Sequence, residues 1–511
     1  MKKKTMKATY LTLLLITLGL MACNDPEDVL KDNNAFINTE TLPELTPGTV
    51  DFSNYVAIGA SFTAGYTDGA LFKASQENSF PNMLAMEFAK VGGSNFTQPL
   101  MNDNIGGLLI GGNPNSNFLP RLFFDGEGPV RLPATPTTEA LNILTGPFHN
   151  IGVPGAKSFD MLFDGYGNPA NLASGNANPY FVRMASSPSA TMIGDAIAQN
   201  PSFFTLTLMG GNDVIDYAFW GGDSSKSLTD PATFYTAFTT AINTLTSGGA
   251  KGVITNVPYV QDLPHFTTVP HNPIPLDAAT AGFLNSINAY GAYNAGIVQA
   301  FAFLVGNNLM TQEMADAEIA KRTIVFEEGP DNAVVLMDES LTDLTALNPA
   351  LVSMRQATEE DLIVLSAASF IGSEAVPGNP QTVNGVAIPL ADQWVLIPEE
   401  QEAIKQATDS YNNTIESIAN SNADLALVNL KDLLNELKTD GISSGDFTLT
   451  SDLVTGGAIG LDGIHMTSRG YAMLASKFLE AIDSAFGSNF IASGNTPDLG
   501  DYPTNYSPLL P

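Results

Sequence analysis

"YVAIGASFTAGY", residues 55–66, runs apolar for four positions and then breaks, between Gly59 and Gly65, into small and hydroxylated residues. Tyr55–Ile58 has the length and composition of a short buried strand, and the glycines interrupt it. A strand that ends in glycine, a small residue and serine presents a hydroxyl at the carboxyl edge of a sheet, where α/β proteins place their ligands. The same residues also make ordinary turns and helix caps. The role of Ser61 therefore depends on what the rest of the chain brings to that edge.

Working outward, further apolar strand candidates follow at Phe148–Val153, Ser202–Met209, Gly252–Val257 and Leu425–Asn429. Between them lie segments of helical period: Pro81–Lys90, Pro231–Leu245 and Pro398–Asn420, the last with Glu399, Glu400 and Glu402 in its first turn. A final amphipathic helix is expected over Ser468–Phe486, where Tyr471, Leu474, Ala475, Phe478, Leu479 and Ile482 keep the spacing of one packed face. Strands alternating with helices predict a parallel α/β sheet. Residues 92–147 and 259–395 do not fit the alternation and read as two large insertions into one α/β core spanning 49–486, with an extended tail over 487–511. No period of 20 to 50 residues indicates repeats.

The 511 residues carry a formal charge of −32. So acidic a chain argues against nucleic acid as a partner and against electrostatic adhesion to anionic lipid. The N-terminus, "MKKKTMKATYLTLLLITLGLMAC", has a lysine-rich start and an apolar run from about Leu11 to Met21, too short for a permanent membrane span, and reads as a signal peptide over 1–22. Its ending, Leu20-Met21-Ala22-Cys23, resembles a bacterial lipobox, which implies cleavage before Cys23 and lipidation of that thiol. Cys23 is the only cysteine, so no disulfide forms within the chain. Residues 23–48 are polar, acidic and proline-punctuated, as a flexible tether would be. Acidic residues behind a lipidated cysteine are similar to export signals of Gram-negative lipoproteins. The expected location is therefore the cell envelope, lipid-anchored to the outer membrane, with surface exposure as a further expectation.

Nucleophilic acyl transfer needs a hydroxyl, a base, a group that orients the base, and donors for an oxyanion. The chain has four histidines, His149, His265, His271 and His465. Two of them sit three residues after an aspartate: Asp262 and His265 in "DLPH", and Asp462 and His465 in "DGIH". Either spacing lets a carboxylate accept from one ring nitrogen while the other faces a serine. The second pair lies on a glycine-flanked loop anchored by the last helix and is favoured as the base and its partner; the first, in a proline-rich segment, reads as a wall beside a site and stays as the alternative. Oxyanion donors are expected at other strand ends, where "NIGVPGAKS" offers Gly155 and "LTLMGGNDVIDY" offers Asn212. Both stretches are also good turn chemistry.

Four blocks in order, "GASFTAG", "NIGVPGA", "GGND" and "DGIH", resemble the SGNH (GDSL) hydrolase family. The resemblance implies Ser61 as nucleophile and oxyanion donor, Gly155 and Asn212 as the other two donors, His465 as base and Asp462 as its orienter. It also implies a three-layer α/β/α sandwich of flavodoxin-like topology with about five parallel strands. The reaction it implies is hydrolysis of a carboxylic ester through an acyl-serine, with no cofactor. In keeping with that, the chain has no HExxH, no cysteine pair and no glycine-rich phosphate loop of the usual spacing. Two positions depart from the family pattern: Ala60 replaces the usual aspartate of the first block, and Met466 stands where proline is frequent. The resemblance covers residues 53–90, 148–258 and 396–486, about half the chain.

Fold and site residues do not choose a substrate. Phe118, Phe123, Phe124, Phe148, Phe159, Phe163, Tyr180 and Phe181 cluster in sequence and could line an acyl groove or simply fill a core. The expected substrate is an acyl lipid, with an O-acetylated carbohydrate as the alternative. A different class of function is a non-catalytic surface lipoprotein that binds lipid or glycan and docks on an outer-membrane transporter.

Overall fold

Five strands form the central sheet: β1 (Tyr55–Gly59), β2 (Asn150–Gly152), β3 (Phe203–Thr207), β4 (Lys251–Thr255) and β5 (Leu425–Val428). Every pairing is parallel and the spatial order is β2-β1-β3-β4-β5, with Ala57 flanked in register by Asn150 and Thr205. The five expected strands are thus the five observed ones, with ends that differ by one or two residues: β1 runs on through Gly59, β4 starts one residue early at Lys251, and β2 to β5 stop one or two residues short of the expected ends. The computed structural model describes residues 42–510, so the expected signal peptide, Cys23 and most of the tether lie outside the described residues. Residues 45–491 and 495–510 make up one unit, which holds everything described below; 42–44 group with 492–494.

Strand periodicity sorts the core into two layers. Val56, Ile58, Phe204, Leu206 and Ile254 point to one face, while Tyr55, Ala57, Phe203 and Val253 point to the other. The helices that close these faces are α1 (Ser61–Ala64), α2 (Phe80–Ala89), α3 (Gly211–Phe219), α4 (Pro231–Thr246), α5 (Pro398–Ser421), α6 (Leu430–Thr439) and α7 (Ser468–Phe486). Phe234, Phe238 and Ile242 of α4 and Ile404, Tyr411 and Ile415 of α5 cover the first face. Phe80, Met83 and Phe88 of α2, with Leu474, Phe478 and Leu479 of α7, cover the second. The result is the three-layer α/β/α sandwich that the resemblance implied, built on the parallel sheet that the alternation predicted.

The last helix illustrates how local chemistry sets a boundary. Thr467 Oγ1 accepts the Gly470 N–H at 2.9 Å to cap its start, and Gly487 in the left-handed region ends it, so α7 spans the residues its apolar period predicts. Each fully buried Phe or Leu on its inner face contributes about 1.5–3 kcal/mol of transfer free energy. That packing anchors the loop immediately before the helix, residues 460–466.

The insertions build their own small structures. Residues 92–147 carry two hairpins, Leu109–Ile110 with Asn113–Pro114 and Leu122–Phe124 with Pro129–Arg131. Residues 259–395 carry helices Tyr290–Gly306 and Gln312–Arg322 and three antiparallel strand pairs. The buried Arg355 fixes this region by donating to Asp338 at 2.5 Å and to Asp361 at 2.6 and 2.7 Å. The chain near 506 binds back onto the body: the Tyr506 hydroxyl lies 2.5 Å from Ser468 Oγ, and Arg121 donates to the carbonyls of Tyr506 and Ser507. Among the described residues no helix is long and apolar enough to cross a membrane.

Candidate active site

After β1 the chain continues into β2 on one side, while β3 lies on the other. This order opens a crevice at the carboxyl ends of β1 and β3. Ser61, the first residue of α1, sits in that crevice. Its helix packs so tightly on the sheet that a Cβ on Gly152 would lie 2.2 Å from the Ala64 nitrogen, so glycine is required there. Asn150 adds a further tie, donating from Nδ2 to the Thr63 carbonyl at 2.8 Å.

Across the crevice, His465 Nε2 is 2.8 Å from Ser61 Oγ and His465 Nδ1 is 2.9 Å from Asp462 Oδ2. A carboxylate only accepts, so Nδ1 donates; in the neutral ring Nε2 is then the acceptor for the Ser61 hydroxyl. Asp462 is saturated with donors. Its Oδ1 accepts the backbone N–H groups of Ile464 and His465, each at 2.9 Å, and Oδ2 also accepts that of Gly69 at 2.8 Å. Burial by itself would push this carboxyl up, but the adjacent His465 ring and these N–H donors outweigh it and hold Asp462 well below the usual carboxylate range.

The turn that follows α1 grips this loop in a way the sequence reading did not anticipate. Asp68, buried and in left-handed backbone, accepts the Leu461 N–H on Oδ1 at 2.9 Å, and the neighbouring Gly69 supplies the N–H to Asp462. Burial, reinforced by the Asp462 charge, pushes the Asp68 carboxyl up to about 7 despite the Leu461 bond and the Arg121 guanidinium nearby. The only local signal was the Asp-Gly dipeptide, which predicts a turn and not a partner.

Gly155 and Asn212 line the same cavity as Ser61 and His465, which encloses about 380 Å³. Asn212 lies in the first turn of α3, and one N–H of its Nδ2 donates to the Ala156 carbonyl at 2.8 Å, leaving the second N–H of the amide. The next residue, Asp213, is buried and accepts from Ser158 twice, from Oγ at 2.6 Å and from N at 2.9 Å. "GGND" therefore holds the 155–158 turn through two consecutive side chains. Asp213 and Ser158 were absent from the sequence-derived site because their pairing joins positions 55 residues apart.

The alternative pair does not come together. Asp262 forms an ion pair with Lys438 at 2.8 Å. His265 stands behind the 460–465 loop, where its Nδ1 donates to the backbone carbonyl of Asp462 at 3.1 Å and its ring stacks on Phe219 at a centroid distance of 4.8 Å. Burial lowers its basicity, and Nε2 has no hydrogen-bond partner. Met466 packs in the core under α7, while Ala60 is buried and lines the cavity beside Ser61; neither enters the Ser61–His465–Asp462 hydrogen-bond chain.

The aromatic set divides. Phe118 and Tyr180 line the cavity, with their rings edge to face at 5.6 Å. Phe159 and Phe163, each about two-fifths exposed, line an adjoining larger cavity of about 1180 Å³ that shares Asn117, Phe118, Gly155 and Lys157 with the first. Phe181 is fully buried and, with Phe148, lines a separate cavity, and Phe123 and Phe124 sit on a hairpin of the first insertion, away from both cavities by the Ser61 crevice. The rest of the 380 Å³ cavity wall is largely apolar, with Phe62, Leu208, Ile215, Phe219, Val260 and Ile464 among its residues, beside Tyr66 and the Lys157–Asp216 ion pair. The one group of three His, Cys, Asp or Glu side chains close enough to share a metal ion, among the described residues, is Glu339, Asp392 and Glu400, none of which lines this cavity.

A parallel sheet in the order 2-1-3-4-5, flanked by helices on both faces, is consistent with the architecture of SGNH-type hydrolases. Compared with protein-family models, with curated proteins and with solved structures, the chain finds no match in any of the three.

Proposed function

We propose that the protein is a serine ester hydrolase of SGNH type. The observation that supports this most directly is the continuous chain Ser61 Oγ, His465, Asp462, with links of 2.8 and 2.9 Å, opening into a largely apolar cavity that Gly155 and Asn212 also line. Ser61 Oγ attacks the ester carbonyl carbon while His465 Nε2 takes its proton, and Asp462 keeps the ring in the required tautomer. The tetrahedral oxyanion would be met by the N–H groups of Ser61 and Gly155 and by the second N–H of the Asn212 amide. Collapse expels the alcohol with the proton from His465, and water repeats the sequence to release the acid.

An acyl chain is the occupant that fits the aromatic and aliphatic wall around Ser61, so acyl lipids or similar esters are the favoured substrates. One observation favours a second reading, an O-acetyl esterase of carbohydrate. The adjoining 1180 Å³ cavity carries Asn115, Asn117, Asn176 and Asn178 beside the exposed Phe159 and Phe163, a mixture of amides and aromatic faces suited to sugar rings. Hydrolysis of p-nitrophenyl esters from acetate to long chain, by the form beginning at Asn24 and by Ser61→Ala, tests both. Turnover that vanishes in the variant supports the mechanism, and the chain-length profile chooses between lipid and acetylated glycan. No turnover on the whole panel, with no fluorophosphonate labelling of Ser61, overturns the enzyme reading in favour of a binding lipoprotein.

We place the protein at the cell envelope through a lipid on Cys23, on the strength of the lysine-rich, apolar and Leu-Met-Ala-Cys sequence alone. Incorporation of labelled fatty acid, lost in Cys23→Ser, is the expected result. Co-purification from detergent-solubilised membranes tests for an outer-membrane transporter as partner.

A further inference from the structure

Outside the Ser61 crevice, three carboxylates from distant parts of the chain converge. Glu339 follows the strand Val335–Met337 of the second insertion, Asp392 opens the short helical turn Asp392–Trp394, and Glu400 lies in the first turn of α5. Each offers an oxygen within 4.8 Å of the others. That is the widest separation two oxygens can have while both sit about 2.4 Å from one ion, a calcium–oxygen distance.

Acidic clusters are common on protein surfaces, and helix N-termini attract Glu, so proximity alone decides nothing. Glu400, however, is 95 % buried, since its relative exposure is 5 %. Its Oε2 accepts the Ile397 N–H at 2.9 Å as an ordinary helix cap, whereas Oε1 is buried and meets no N–H or O–H donor; the side chain beside this carboxyl is a second one, that of Glu339. A buried carboxylate oxygen beside another carboxylate is costly unless a cation or a shared proton meets the pair. Two glycines admit this group. A Cβ on Gly222, at φ +80°, would lie 1.9 Å from Glu400 Oε1, and one on Gly221 would lie 2.1 Å from the Asp392 carbonyl oxygen. Arg355, which bonds the residue next to Glu339, is engaged with Asp338 and Asp361.

We propose that Glu339, Asp392 and Glu400 bind a divalent cation, calcium by class, which joins the second insertion to the start of α5 and to the Gly221–Gly222 turn after α3. All three donors are hard oxygens, and they come from a turn, a short helical turn and a helix start. Such an irregular set suits calcium, which accepts six to eight ligands in flexible geometry, better than magnesium with its strict octahedron. Because α3 begins with Gly211 and Asn212, the ion braces the far end of the helix that carries Asn212. The inference does not depend on the proposed chemistry at Ser61.

The chain provides its own reporter. Of its two tryptophans, Trp220 precedes Gly221 and Trp394 ends the 392–394 turn, so terbium bound here should show sensitised emission. With the full chain freed of metal by a chelator, the expected result is strong terbium emission that calcium displaces, and a melting temperature that calcium raises by a few degrees. Both effects should be lost in Glu400→Gln, which keeps an acceptor for Ile397, and in Glu339→Gln, an exposed position where folding is not at stake. Terbium emission no stronger in the wild type than in Glu339→Gln, or a calcium shift that survives both substitutions, overturns the proposal. A larger stabilisation by magnesium at equal concentration overturns the assignment to calcium. If the melting temperature ignores both ions, a proton shared between Glu339 and Glu400 is the better account of the cluster.

Discussion

Asp262–His265 and Asp462–His465 have the same spacing and end up in opposite situations. In the second, the carboxylate accepts from its own histidine ring and from three backbone N–H groups, and the far nitrogen of that ring faces Ser61. In the first, the carboxylate turns away to Lys438, and the histidine donates to a backbone carbonyl that belongs to the other pair. One stretch presents a ring to the crevice and the other buries a ring behind the presenting loop. Spacing of three residues makes an Asp–His contact possible; what surrounds the loop determines whether it forms. "DGIH" is clamped from both sides, by the Asp68–Gly69 turn and by α7, whereas "DLPH" passes through a short helix, Pro264–Thr267, that sends its two ends to different neighbours.

The largest test of this contrast is to remove each ring. His465→Ala is expected to lower kcat on a cleavable ester by about 10⁴-fold or more, as loss of a base acting in concert with its nucleophile does, and Asp462→Asn by about 10⁴-fold through the wrong ring tautomer. His265→Phe keeps the stacked ring and loses the bond to the Asp462 carbonyl. It should cost about 0.5–1.5 kcal/mol of stability and leave kcat within about tenfold, measured by thermal unfolding and steady-state kinetics. A drop in kcat as large as that of His465→Ala would make His265 part of the chemistry and erase the contrast.

A subtler test compares two buried carboxylates of one loop system. Asp462 is held ionised by His465 and its N–H donors, whereas Asp68, with one N–H donor, has its carboxyl pushed up to about 7 by burial from an ordinary 3.8. A raised folded-state value means that the folded protein binds this proton more tightly than the unfolded chain. The stability that Asp68 contributes is therefore full below about pH 4 and is lost as pH rises through about 7. Asn accepts the same Leu461 bond and cannot ionise, so the melting temperature of Asp68→Asn relative to wild type should climb between pH 5 and pH 8. A constant difference across that range would show that Asp68 does not titrate there. The smallest effect belongs to Asp262→Asn, which removes a partly exposed ion pair with Lys438 and should change stability by about 0–1 kcal/mol and kcat by less than about twofold.

Much of this molecule was legible before its structure. The five core strands and α7 follow from alternation and caps, which are written within a few residues of where they act. Ser61, Gly155, Asn212 and His465 were legible as residues at strand and loop ends, and they meet around one cavity. The supporting contacts were not. Asp213 with Ser158, Asp68 with Leu461 and the saturation of Asp462 by Gly69 link residues 55 to 393 positions apart, and nothing local distinguishes these residues from ordinary turn formers. The aromatic set was only half legible, because a phenylalanine looks the same in sequence whether it lines the Ser61 cavity, as Phe118 does, or is buried away from it, as Phe181 is.

By itself, then, the amino-acid sequence determined which segments become strands and helices, and that a serine, a glycine, an asparagine and a histidine stand at their ends. Periods of 2 and 3.6 and the chemistry of turns are local properties of a chain. Only the tertiary structure decided which of two identical Asp–His spacings faces Ser61, which buried carboxylate stays charged, and that Glu339, Asp392 and Glu400 share one place. Those outcomes turn on distance and burial between segments far apart in the chain, and electrostatic and hydrogen-bond energies depend on both.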